Sequence, residues 1–468
     1  MNLTTTTSGG FFLPINIMLS LSFFFGWLLS FPFNGPALFS LAEIIDINPI
    51  FTGLVFMIFH ALGLLLTGLL KKNYSNTKRS IAVSVGISIF LNVLLRFFTV
   101  ELLWILIMAG LGLVSGFYII NWGHLYTNEV SNSARLKFMA GTMVGAYLVY
   151  MTINLSSVLG NPNILYIEAL GSLVLSLWFT LQCDYSFTLE KRQKELKVPK
   201  TLMMLLCVIV LVLFINGGLM YGIIFPTFTG YDLFTRLLRE PTYIMTLIVV
   251  MAFAGRIKRT LPIYFGCALM GFAFIAFKMF QTSMTGFILT EVFFQSGMAM
   301  LDLFLWFILA EIACVYGRPG LIFGMGLTAN VLAVFIGGWT GELLLNNIQD
   351  VYGMTAVYAW GTISTALFLA PFLTERLDRD LAGKISKSLT DAEKNEFDLE
   401  IIPNNNSLTA KERELIHLML DGMTNKEIAF EMGITENTVK THLKHIYAKT
   451  GILNKNQLLA MFLNTFSQ

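Results

Sequence analysis

Charge is what this sequence has least of: 13% of its 468 residues are Asp, Glu, Lys or Arg, against 55% hydrophobic. A chain so poor in charge cannot present a water-compatible surface on every side, which excludes a purely soluble globule. Cysteine is scarce as well. The four thiols, Cys183, Cys207, Cys267 and Cys314, lie in or beside apolar segments with no metal-ligand spacing and no external pair, so they are expected to be free. Met1 to Gly10 lacks a basic n-region, and the apolar run after it is long enough to span a bilayer, so no cleaved signal peptide is expected. There is no phosphate-binding Gly-Lys-Ser/Thr loop, no His/Cys cluster, no nucleophile elbow and no soluble βα receiver pattern. The expectation is a protein that is not an enzyme, needs no cofactor or metal, and is not activated by phosphotransfer within its own chain.

Long apolar runs are abundant instead. Segments of spanning length recur at about 11–32, 49–70, 80–98, 101–122, 138–159, 163–182, 201–224, 240–254, 261–280, 285–312, 321–345 and 352–373, the eighth being short. The fold class this predicts is all-α: a polytopic bundle of twelve transmembrane helices over 1–373. Basic residues collect in the even connections, at Lys71, Lys72, Lys78 and Arg79, at Arg135 and Lys137, between Lys191 and Lys200, at Arg256, Lys258 and Arg259, and at Arg318. Positive charge is retained on the cytoplasmic side, so the expected site is the inner membrane, with lipid around the bundle and both termini cytoplasmic.

Polar side chains inside these spans are costly unless they face the bundle interior, which makes them candidates for a ligand site. His60 sits near the middle of the second span, either satisfied by a neighbouring helix or binding a ligand or proton. Glu291, Gln295 and Asp302 step by four and eleven residues, which at 100° per residue sets them on one stripe of the tenth span. Lys278 lies at about the depth of Glu291 and is its expected partner in a structural ion pair, leaving Asp302 the acid in need of explanation. Arg236 and Arg239, beside Asp232 and Glu240, read as a solvated outer loop, the alternative being attraction of an anion. Asn154, Asn216 and Asn330 line a cavity or bridge helices, and Gly141 with Gly145 permits close helix packing.

The sixth connection, Cys183 to Lys200, is long and falls midway through the twelve spans. This 6+6 layout resembles the major facilitator transporters, two helical bundles around a central cavity. That family's motif between the second and third spans is matched at Gly68 and Leu70, whereas Lys72 stands at its acidic position and Ser75 at its second glycine. The resemblance implies a transporter scaffold, and the degraded motif suggests its use as a sensor.

The last sixty residues are different in kind. Thr409 with Glu412, and Thr424 with Glu427, have the spacing of a capping box and predict two helix starts. Gly422 and Gly433 then stop those helices. Thr435 opens a third helix with Val439, Leu443 and Ile446 on its apolar face, and Asn454 and Gln457 start a fourth. Seven Lys and Arg face six acids over 407–468, yet the third helix holds three Lys and two His against one Glu. Such local segregation suits a phosphate backbone.

The pattern LTxxERE, GxTNKEIA, TENTVKTHLKxIYxK and GxxN, in register over Leu408 to Leu459, resembles the LuxR-type helix-turn-helix of bacterial transcription regulators. The resemblance implies that the third helix reads double-stranded DNA and the fourth builds a homodimer. Carried over by position, Lys440, Thr441 and Lys444 would face base edges, while Lys426, Thr438 and His445 would hold phosphates. Thr441 stands where an apolar residue is common, and Leu453 replaces a small polar residue before Asn454.

Between the two parts, 374–406, Leu377, Leu381, Ile385 and Leu389 recur every fourth residue, predicting an amphipathic helix ended by Pro403 and Asn404 to Asn406. The whole reads as a membrane-embedded one-component regulator: a sensor over 1–373 with an unidentified small-molecule ligand near His60, Glu291, Gln295 and Asp302, a linker, and a DNA-binding head over 407–468. The alternative is a secondary transporter with a regulatory DNA-binding tail.

Overall fold

Helices account for the regular structure of the computed structural model, which describes residues 15–33, 35–71, 76–131, 134–183, 196–228, 232–254, 257, 260–391, 407–420, 423–452 and 457. Two units result, Met1–Ala370 and Pro371–Gln468.

The first span is broken. Helix α1 (Ile15–Ser30) has 16 residues and α2 (Pro36–Ile45) has 10. At 1.5 Å per residue neither crosses a hydrocarbon core of about 30 Å alone. Pro32, Gly35 and Pro36 cause the break, because proline removes a helical amide and clashes with the preceding turn. The sequence places the end of this span at 32; the chain instead continues as α2 to Ile45.

Eleven further spans follow: α3 (Pro49–Leu70), α4 (Thr77–Phe97), α5 (Glu101–Glu129), α6 (Arg135–Ser156), α7 (Pro162–Leu181), α8 (Lys200–Leu219), α10 (Asp232–Phe253), α11 (Leu261–Phe280), α12 (Met284–Tyr316), α13 (Pro319–Asn347) and α14 (Val351–Asp391). Helix α8 runs through a π-helical segment, Met220–Ile224, into the short α9 (Phe225–Thr227). Ten of these eleven spans are long and apolar enough to cross a membrane. The remaining one, α10, has 22 residues but carries Asp232, Arg236, Arg239 and Glu240. The expectation of a short eighth span beginning at Glu240, with the arginines in a loop before it, is thus corrected: the helix starts eight residues earlier.

Pairing of the spans repeats with a period of six. The first packs on the fifth (α1 on α6) as the seventh packs on the eleventh (α8 on α13). The second packs on the fourth (α3 on α5) as the eighth packs on the tenth (α10 on α12), and the third on the fourth (α4 on α5) as the ninth on the tenth (α11 on α12). The two halves meet through α3 with α13 and α6 with α10, pairs that this relation exchanges. Glycine permits the first crossing. A Cβ on Gly68 would sit 2.6 Å from the Gly320 carbonyl oxygen, and one on Gly324 2.8 Å from that of Leu64. The expected close packing at Gly145 is against α1, where a Cβ would meet Ser22 Oγ at 2.6 Å.

Helix α14 is continuous for 41 residues with Pro371 inside it, so the amphipathic stretch after 373 extends the twelfth span as one helix to Asp391. Residues 392–406, with Pro403 and the Asn run, lie outside the described residues, as do Lys72 and Ser75.

In the second unit, α15 (Ala410–Leu420), α16 (Asn425–Glu431) and α17 (Glu436–Thr450) enclose a core of Leu408, Leu415, Ile416, Met419, Ile428, Ala429, Val439, Leu443, Ile446 and Ile452. Both capping boxes form. The Thr409 amide donates to Glu412 at 2.8 Å, and the Thr424 amide to Glu427 at 2.7 Å. Thr435 caps α17, its side chain accepting from the Thr438 amide at 3.2 Å. Gly433 adopts φ +64°, the left-handed turn between α16 and α17. Gly422, and the fourth helix apart from Gln457, lie outside the described residues.

Candidate nucleic-acid interface and intramembrane polar cluster

Helix α17 buries Val439, Leu443 and Ile446 and thereby turns Lys440, Thr441, Lys444 and His445 outward, all exposed. Lys426 is exposed on α16. Thr438 is half-buried, its hydroxyl 2.8 Å from that of Thr435. Thr441 donates to the Asn437 carbonyl at 2.9 Å, which fixes its rotamer. Lys440 lies 2.8 Å from Glu436, one turn earlier, and this neighbour holds the Glu436 carboxyl below the usual range. A phosphate or base approaching Lys440 therefore competes with a carboxylate already in place.

The third lysine of α17 has another job. Lys449 Nζ lies 2.7 and 3.0 Å from the two oxygens of Glu412, a residue only 3% exposed. Burial pushes the Glu412 carboxyl up, but the bonds from Lys449 and from the Thr409 amide and hydroxyl outweigh it and hold it down at about 2. The pair clamps α17 onto α15. Of the three lysines that the sequence assigns to the basic helix, two face outward. Tyr447, half-buried beside them, has its hydroxyl pushed up to about 12 by burial.

The other concentration of polar chemistry lies among α6, α8, α10 and α12. Asp302 on α12 accepts a hydrogen bond from the Tyr243 hydroxyl of α10 at 2.8 Å. Tyr243 stacks on Tyr147 of α6, with ring centroids 3.7 Å apart. Asn154 of α6 donates to Glu240 of α10 at 3.1 Å, joining the halves a second time. The Arg239 guanidinium sits 3.8 Å over the ring of Phe225 and within hydrogen-bonding reach of Tyr150. The reading of Arg239 as a solvated loop residue is therefore corrected: it is a helix residue of the bundle interior, and Glu240 is fully buried.

Glu291 is 1% exposed and accepts from Gln295 at 3.2 Å, Gln295 also approaching Met220 Sδ at 3.4 Å. The cation acting on Glu291 is Arg239. Lys278, its expected partner, is exposed instead and lines a surface groove with Trp360 and Met279. Asn216 bridges α8 to α14 through Thr362 at 2.9 Å.

His60 stands apart from this cluster. Its Nδ1 lies 2.6 Å from Ser115 Oγ on α5, and its ring stacks on Phe56 and meets Phe33 edge-on. The structure thus brings together Glu291 and Gln295, links Asp302 to them by way of α10, and sets His60 in the α3–α5 contact. Sequence reasoning did not single out Tyr147, Tyr150, Tyr221 or Tyr243. The one available signal was the Arg239–Glu240–Pro241 triplet bordering an apolar run.

Comparison with known proteins divides the chain as its chemistry does. Residues 406–462 match the family described as bacterial regulatory proteins, luxR family. A monoamine regulon transcriptional regulator of Klebsiella aerogenes is 38% identical over 92 residues, 19% of this chain and 38% of that protein. The probable transcriptional regulatory protein SgaR of Hyphomicrobium methylovorum is 49% identical over 55 residues, 12% of this chain and 26% of that one. The chain thus spans well under half the length of either relative. Among solved structures, the proton:xylose symporter XylE aligns over 77% of this chain and 96% of its own, with a TM-score of 0.61 and 13% identity, a likeness of fold. The protein is a multi-pass membrane protein whose helical bundle has the major facilitator fold and whose C-terminal unit is a LuxR-family helix-turn-helix domain.

Proposed function

We propose that the protein is a one-component transcription regulator of the inner membrane, in which the state of the bundle controls how the cytoplasmic head binds DNA. The observation that carries this reading is the joining of a LuxR-type head, with Lys440, Thr441, Lys444 and His445 exposed on one helix, to a major facilitator fold in the same chain. A helix in the major groove reads base edges while flanking cations hold phosphates. Lys440, Thr441 and Lys444 take the first role, and Lys426, Thr438 and His445 the second.

A small molecule bound between the two halves shifts their arrangement only if it binds one arrangement more tightly. Glu291, Gln295 and Asp302 are the candidates for that contact, with His60 as a packing residue that reports on the α3–α5 crossing. Helix α14, 41 residues and so about 60 Å long, leads from the twelfth span toward the head. Pairing of two heads through their last helix is the step it would control. The even connections carry the positive charge, which supports cytoplasmic termini.

The test is immunoprecipitation of tagged full-length protein with sequencing of the bound DNA, beside a Lys440→Ala, Lys444→Ala control. Sharp peaks with a two-fold symmetric motif, lost in the control, are the expected result. Absence of peaks in every growth condition, with the protein present in the membrane, would sink the reading. A second reading, secondary transport with a regulatory tail, is favoured by the repeat of pairing between spans one to five and seven to eleven; uptake by reconstituted vesicles is its measurement.

A further inference from the structure

We propose that the cluster around Asp302 is a binding site for a small organic ammonium ion, and that this cation is the signal sensed by the bundle; the second clause rests on the regulatory reading above. Four observations carry it.

The first is charge. Two acids of α12, Glu291 and Asp302, stand in the cluster with Arg239, which lies among Glu240, Glu291 and Tyr150. Asp302 is bonded to the Tyr243 hydroxyl, and among the described residues no basic side chain bonds to it. Excess negative charge inside a membrane bundle is costly, and a cation brought by a ligand relieves it.

The second is unused bonding capacity. Glu291 is buried, yet its Oε1 has no hydrogen-bond partner among the described residues. Its other oxygen is held by Gln295.

The third is access. Asp302, Tyr147 and Tyr150 are half-buried and Tyr221 is 59% exposed, so a small molecule can touch all four.

The fourth is aromatic. Aromatic faces around a carboxylate attract an ammonium group through the ring quadrupole, and more strongly where water is excluded. Tyr221 stands on the π-helical segment Met220–Ile224, where the helix widens.

An anion at Asp302 would meet that carboxylate and Glu291, with Arg239 already beside Glu291, so the local charge selects against it. The placement also supplies the coupling. Tyr147 and Tyr150 belong to the first half of the bundle, and Tyr221, Tyr243 and Asp302 to the second. A cation held by both halves favours the arrangement in which they are close.

The experiment uses full-length protein in nanodiscs and reads thermal stability and intrinsic fluorescence. The cationic probes are tetramethylammonium, choline and phenethylammonium. Two matched controls are neutral 3,3-dimethylbutanol and anionic 3,3-dimethylbutyrate. Saturable stabilisation by at least one cation and by neither control is expected, with affinity falling tenfold or more in Asp302→Asn. Tyr147→Leu should weaken binding and Tyr147→Phe should retain it, which keeps the test open if Asp302→Asn fails to fold. Stabilisation by the anion alone, or by none of the three cations, would overturn the proposal. Binding that survives in Asp302→Asn would overturn it too. DNA occupancy measured in cells, with and without the binding cation, is scored separately: binding without a change in occupancy would leave the site standing and remove its role as the signal.

Discussion

Lys449→Met removes the clamp between α17 and α15 while keeping the length and most of the apolar stem of the side chain. Two charge-assisted bonds of 2.7 and 3.0 Å are lost, and Glu412, 3% exposed, retains its bonds to Thr409. A carboxyl held down from 4.5 to about 2 corresponds to a ceiling of roughly 3.4 kcal/mol, at 1.36 kcal/mol per unit. Lys449 is 34% exposed, so solvent screens the pair. A discounted loss of about 1–2 kcal/mol follows. In a domain of this size each kcal/mol moves the melting temperature by roughly 4–8 °C, so a fall of about 5–15 °C is expected for the fragment 407–468, which has its own core. The sign with pH is fixed. Because the folded carboxyl is depressed, its contribution is complete above pH about 4.5 and is lost as pH falls toward 2. Circular-dichroism melts between pH 2.5 and 7 should show that loss in the parent and a flatter profile in Lys449→Met. A shift under 2 °C at neutral pH, with an unchanged pH profile, would refute the clamp.

Three further outcomes can be checked. Replacing Lys440 and Lys444 by Ala should weaken DNA binding with little change in the slope of log K against log salt, as base contacts require, whereas Lys426→Ala should reduce that slope by about 0.9; a reduced slope for the first pair in a binding titration would move those lysines to phosphates. Glu436→Gln frees Lys440 from its 2.8 Å partner and should tighten DNA binding severalfold at low salt, an effect absent in the Lys440→Ala background. Gly433→Ala places a side chain at φ +64° and should cost about 1 kcal/mol, seen as a lower melting temperature with no change in DNA contacts.

Much of this architecture is local and could be read in order along the chain. Twelve apolar runs, two Thr-x-x-Glu boxes, Thr435 and Gly433 each act through neighbours within one helical turn or one bilayer thickness, so the number of spans and the helix starts of the head could be read locally. Where the reading failed, contacts distant in sequence were decisive. Pro241 and the charges around it look like the start of an apolar run, yet α10 begins at Asp232, and Arg239 rests on Phe225 while Glu240 is met by Asn154. Glu291 finds Arg239 and not Lys278, since depth in a membrane says nothing about which face a side chain occupies. Lys449 counts as basic in the sequence but is used internally, through a partner 37 residues away.

The sequence by itself thus determined the class of each part: a membrane bundle, because so apolar a chain cannot be solvated, and a helix-turn-helix head, because its caps and apolar periods are short-range. Only the tertiary structure decided the intramembrane site. Tyr147, Tyr221 and Tyr243 are ordinary aromatics in apolar spans until four helices from two halves of the chain bring them to one carboxylate. No local rule carries that information.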